Sequence, residues 1–184
     1  MGKAIVDRLK QEFDIEEEWY GLEIHPETPL GGEDITKKFD SKSIERLYDR
    51  LNQRGKEYGI KFNQSKKLSN THLALILSEY AKETGCFEAF HHRLFEAYFE
   101  DEKDIGDKEV LLQIANEVGL SKDEVKEAWQ DSKWEEKLKA ITQKSVVHGA
   151  TGVPTFIIND EYRIVGAQPY EKFEEILKKI KRSD

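Results

Sequence analysis

Few side chains in this sequence can do chemistry, and their spacing limits what that chemistry is. Cys86 is the single cysteine among 184 residues, so the chain by itself has no intrachain disulfide, no thiolate metal cluster and no two-thiol redox cycle. Dithiol exchange needs a second sulfur, and Cys86, beside Gly85 where a helix is expected to start, reads as a structural thiol. His91 and His92 are adjacent; on a helix they point about 100° apart, unlike the i, i+4 pair that grips a metal. Acidic residues such as Glu171 and Glu175 have Lys179 at helical spacing, the pattern of a solvated helix face rather than of paired catalytic carboxylates. No metal site and no cofactor is expected.

The most informative run is Gly149-Ala150-Thr151-Gly152-Val153-Pro154-Thr155-Phe156, a glycine-punctuated turn with a proline at the very start of a strand. Proline cannot donate a ladder hydrogen bond, so it fits there if its nitrogen faces away from the ladder or toward a ligand. A cis bond after Val153 would bend the chain sharply; an ordinary strand-start proline is the plainer alternative.

The elements that position this run follow from periodicity. Ala4, Ile5, Leu9 and Phe13 predict an amphipathic helix over 2 to 13. Glu17 to Ile24 is expected as a strand stopped by Pro26. A Pro/Gly loop leads to a helix around 33 to 38, and Ser41 or Ser43 can cap a helix ending at Gly59. Asn70 is positioned to cap a helix closed by Gly85, and Phe87, Phe90, Leu94, Ala97 and Tyr98 mark the inward face of the next. Asp107 begins another helix, Ser121 and Glu124 form a capping box, and Trp134, Leu138 and Ile141 lie on a helix reaching His148. PTFIIND and YRIVGA read as a hairpin turning at Asn159-Asp160-Glu161, and Pro169 starts a last helix.

Composition narrows the function classes. Hydrophobic residues make up 38% and charged residues 36%, a globular, helix-rich balance. The net charge of −8 disfavours nucleic acid and anionic membranes, since the basic residues are interspersed with acids. The apolar stretches are shorter than a membrane span, and MGKAIVDRLKQEF lacks a signal-peptide core. A cytoplasmic location is expected.

GVPTFIIN, a turn, then IVGAQ and a terminal helix resembles the cis-proline hairpin of DsbA-like thioredoxin-fold proteins, specifically the FrnE-like branch. His25-Pro26-Glu27-Thr28-Pro29 is similar to the loop after that family's second strand, Asn70-Thr71 to the opening of its insertion helix, and Gly2-Lys3 to the tail of its Cys-x-x-Cys-Tyr-x-Gly-Lys motif. The resemblance implies an α/β thioredoxin-like core, 1–35 plus 138–184, with an α-helical insertion over 36–137 and the first strand missing. It implies a thiol-disulfide oxidoreductase or isomerase acting on a disulfide-containing protein or peptide. Val153, Pro154, Thr155 and His25 would bind substrate, and His148 lies beside the same face. No catalytic residue is assigned, because the Cys-x-x-Cys is absent.

In such a family the first strand is central, so its absence leaves edges unpaired, and each buried unpaired backbone group costs about 1 to 3 kcal/mol. Repacking, strand exchange or a homodimer are the expected responses. Because Met-Gly-Lys fits the motif in register, Met1 is expected to be an internal methionine of a longer protein whose start was assigned late. As written, the chain is expected to be inactive in dithiol exchange. A non-catalytic peptide-binding module and a glutathione-dependent transferase or isomerase of the kappa-class type are the alternatives.

Overall fold

The structure, a computed structural model, describes residues 1–182. Its contacts divide the chain into two compact units, one of Met1–Tyr20 with Gln143–Asp184 and the other Gly21–Thr142. The second boundary, between Thr142 and Gln143, falls inside a helix.

The first unit holds α1 (Gly2–Leu9), the C-terminal end of α7 (Ser132–Val147), the antiparallel strands β3 (Thr155–Ile158) and β4 (Tyr162–Val165), and α8 (Tyr170–Lys181). The hairpin forms where the sequence predicts it, because Asn159 and Asp160 take the positive φ angles, 49° and 55°, that a tight turn needs. Its register pairs Phe156 with Ile164 and Ile157 with Arg163. The inner face buries Ile164, and Phe156 meets Phe173 edge to face at 4.8 Å. Ile5, Val6 and Leu9 of α1 are buried, and the Arg8 guanidinium lies 3.9 Å over the Tyr170 ring. Tyr170 also donates to Glu12 at 2.7 Å; burial first, then that hydrogen bond, pushes its phenol up to about 12.

The second unit contains the two-residue pair β1 (Glu33–Asp34) and β2 (Lys67–Leu68), then α2 (Ser41–Gly55), α3 (His72–Glu83), α4 (Phe87–Phe99), α5 (Lys108–Glu117), α6 (Lys122–Gln130) and most of α7. α3 through α7 enclose one apolar cluster around Leu77, Phe90, Leu111, Val125, Trp134 and Leu138. Ser121 and Glu124 form the reciprocal capping box, and Asp107 accepts from the Glu109 amide at 2.7 Å. Glu79, 1% exposed, receives Lys82 at 2.6 Å; Lys137 lies 3.2 Å from its other oxygen, within ion-pair reach but out of hydrogen-bond alignment. Among the described residues no helix is long and apolar enough to cross a membrane.

Three expectations are corrected. Glu17 to Ile24 forms no ladder. From Phe13 to Tyr20 the chain alternates half-buried (Phe13, Ile15, Glu17, Trp19) with exposed residues, the period of a strand, but among the described residues it joins no sheet. The helix expected around 33 to 38 is instead the β1 bridge, which keeps Glu33 and Asp34 extended against Leu68 and Lys67, followed by a 3₁₀ turn over Ile35–Lys37 that the Asp34 carboxylate caps by accepting the Thr36 amide at 2.9 Å. The first helix stops at Leu9 rather than Phe13, continuing only as turns.

Candidate functional site

Two pieces of the first unit meet at Pro154, and a third braces one of them. The first is the loop from α7 to β3. α7 ends in a Schellman motif: Gly149, at φ 63°, donates to Val146, and the Ala150 amide reaches back to Ser145, both at 2.9 Å. The Thr155 hydroxyl then donates to the Gly152 carbonyl at 2.6 Å, and the Gly166 amide to the Pro154 carbonyl at 2.7 Å. The Val153–Pro154 peptide bond is cis. Val153 is exposed, and its backbone makes no hydrogen bond to another described residue.

The second piece is the start of α1. A Cβ built on Gly2 would meet Pro154 Cβ and Cγ at 3.2 Å and the Phe156 ring at 3.4 Å, so the helix backbone lies directly against the proline. A glycine permits that approach; an added methyl would make the proline ring give by a few tenths of an ångström.

The third piece steadies the second. Glu17, on the extended segment after α1, accepts Lys10 at 2.6 Å and Lys3 at 3.0 Å on one oxygen and the Trp19 indole N–H at 2.9 Å on the other. Burial alone would raise this carboxyl, but the three donors outweigh it and hold Glu17 below the usual range. Burial likewise would lower Lys3, yet its hydrogen bonds to Asp7 and Glu17 leave the ammonium above its ordinary value. Tyr20 is fixed in turn by Lys144 Nζ at 2.7 Å.

Of the four residues expected to bind substrate, Val153, Pro154 and Thr155 are contiguous in this loop. His25 belongs to the other unit, in a loop where its Nδ1 is 3.2 Å from Glu27 and its carbonyl accepts the Thr28 amide. His148 contributes a backbone carbonyl, which accepts from Arg163 at 3.3 Å. Cys86 precedes α4 in the helical unit, with its sulfur 3.3 Å from Thr84 Oγ1. His91 stacks between Phe87 and Phe95, at 5.1 and 4.5 Å, and His92 pairs with Glu96 on the surface. Glu17 and Arg163 were not singled out from the sequence. Glu17 reads there as one more acid in IEEEWY, and nothing local reveals that three donors converge on it.

The chemistry such a site offers is backbone recognition beside a helix N-terminus, where positive partial charge gathers. A profile for the DSBA-like thioredoxin domain matches residues 1–178. The uncharacterized protein YwbO of Bacillus subtilis is 29% identical over 96% of this chain and 88% of its own length. A crystal structure of a probable DsbA oxidoreductase from Streptomyces coelicolor superposes with a TM-score of 0.88 at 25% identity, over 97% of this chain and 82% of that one. A Nitrosomonas europaea structure, provisionally assigned as a protein disulfide isomerase, shares the fold at a TM-score of 0.66 and 13% identity, over 99% of this chain and 91% of that one. With the profile spanning nearly the whole sequence and the hairpin, loop and helix arranged as above, the chain belongs to the DSBA-like thioredoxin domain family.

Proposed function

We propose that this protein binds extended, disulfide-containing polypeptide along the Val153-Pro154-Thr155 loop, as a DsbA-type oxidoreductase or isomerase would, and that the 184-residue chain alone does not turn over dithiol substrates. One observation carries the reading: beside the point where α1 meets Pro154, the exposed Val153 backbone has an N–H and a C=O without partners among the described residues. An extended peptide adds to such groups by strand-like pairing. The lone Cys86, sited in the helical unit, supplies no second thiol, which favours a non-catalytic peptide-binding module as the second reading.

Two measurements separate these. In an insulin-reduction assay the chain should not accelerate precipitation above the dithiothreitol background, whereas a fusion placing a strand and Cys-x-x-Cys ahead of Gly2 should. In a hydrogen-exchange experiment, carboxamidomethylated insulin B chain should protect amides of 152 to 156. Binding without protection there removes the loop from the proposal, and dithiol turnover by the chain alone refutes its inactivity. A fusion that binds peptide but stays inactive favours the non-catalytic module.

A further inference from the structure

The Schellman motif at the end of α7 satisfies the Ser145 and Val146 carbonyls and leaves those of His148 and Gly149 pointing beyond the helix. A side chain from another element takes them. Arg163, on β4 in the ladder pair with Ile157, donates from Nη1 to the His148 carbonyl at 3.3 Å and the Gly149 carbonyl at 3.1 Å. A cation at a helix C-terminus also suits the negative end of the macrodipole. Gly149 completes the fit: a Cβ built there would overlap Nη1, and its φ of 63° is one that side-chain-bearing residues rarely adopt.

We infer that Arg163 is the positioning residue of the peptide-binding loop: its guanidinium ties the hairpin to the α7 terminus and so sets where Val153 and Pro154 stand. The reasoning is geometric. The loop's far end is already fixed to the hairpin, through Gly166 on Pro154 and Thr155 on Gly152. Its near end belongs to a helix, and Arg163 bonds that helix terminus to the same hairpin. With both ends referred to one rigid pair of strands, the intervening Ala150 to Val153 backbone is held ready for an incoming chain. Binding then costs less ordering of the loop. Arg163 touches no substrate in this account and acts only through the loop. The inference rests on the functional reading above, that the Val153 to Thr155 loop takes extended peptide.

The test compares Arg163→Met, which keeps the stem and removes the donors, with Arg163→Lys, which keeps charge and one donor. Amide exchange at 150 to 153 is read without peptide, and affinity for fluorescein-labelled, carboxamidomethylated insulin B chain is read by anisotropy. In Arg163→Met, loop exchange and peptide Kd should each rise about threefold to fivefold, the scale of a cation at an exposed helix terminus. Arg163→Lys should recover part of both. Gly149→Ala, which expels the guanidinium with the arginine still present, should weaken binding similarly. Adding Arg163→Met to it should then cost little more, because the two changes break one contact. Wild-type exchange and affinity in Arg163→Met overturn the inference, as does a rise in exchange spread evenly over the whole chain. If the unsubstituted protein does not bind the B chain, the peptide-binding reading fails. Exchange at 150 to 153 then still decides whether Arg163 orders the loop.

Discussion

Replacing Glu17 by Gln should loosen α1 from the extended segment behind it and change how stability responds to acid. The wild-type carboxylate collects two ammonium groups and an indole N–H while its own side chain is 12% exposed. Lys3 and Lys10 are 30% and 38% exposed, so each ion pair is heavily screened and is worth about 0.5 kcal/mol rather than the buried value. Gln presents one acceptor where the carboxylate presents two, and its NH₂ must face either the lysines or Trp19. Leaving a half-buried donor unmatched costs about 1 kcal/mol more. The sum is about 2 kcal/mol, which for a chain of this size lowers Tm by about 4 to 8 °C at pH 7. The sign of the acid response follows from the lowered Glu17 pKa. A carboxyl held below its unfolded value stabilises above that value, about 4.3, and loses this contribution as pH falls through the folded one. Lys3, held above its ordinary value, keeps its contribution below the unfolded lysine pKa and gives it up only in strong alkali. Calorimetry from pH 7 down to pH 3 should therefore show the gap between wild type and Glu17→Gln narrowing in acid. Equal Tm values at pH 7, or a gap that stays constant to pH 3, would show that the carboxylate is not the anchor described.

Leu77→Ala should be strongly destabilising, since Leu77 is fully buried on α3, the helix that packs against α4 and α6; a loss of about 3 to 4 kcal/mol is expected in urea unfolding, and less than about 1 would mean that the cluster closes around the cavity. Ser121→Ala removes one half of the α6 capping box and should cost about 1 kcal/mol, with faster exchange confined to the first turn of α6.

How much was legible depended on whether the signal was local. Ser121 with Glu124 and Asp107 before its helix are local, and each caps where its sequence places it. The hairpin was equally plain, because β-branched runs flank residues that tolerate positive φ. The loop with Pro154 announced itself through its glycines. The strand expected from Glu17 to Ile24 is the instructive failure: burial alternates over 13 to 20, but a ladder also needs a partner, and periodicity cannot supply one. The stretch around Asp34 failed on a partner that was there: Glu33 and Asp34 are held extended by Leu68 and Lys67, far along the chain, so the capped helix shrinks to one 3₁₀ turn. Glu17 and Arg163 were invisible because their partners are far along the chain or on the backbone of another element. Lys10 lies seven positions from Glu17 and the Gly149 carbonyl fourteen from Arg163.

The support of the Pro154 loop falls on groups outside its central residues. Gly2 gives way to the proline, Gly166 and Thr155 hold carbonyls at its end, and Arg163 holds those at its beginning. These contacts go to loop backbone or to the proline ring, and none goes to the side chains of Ala150, Thr151 or Val153. A surface that recognises extended chain through its main chain gains little from particular side chains at those positions and much from a fixed backbone path. That division accounts for why glycines and one proline dominate the loop, while the charged and hydroxyl-bearing residues that secure it sit on the adjoining strands.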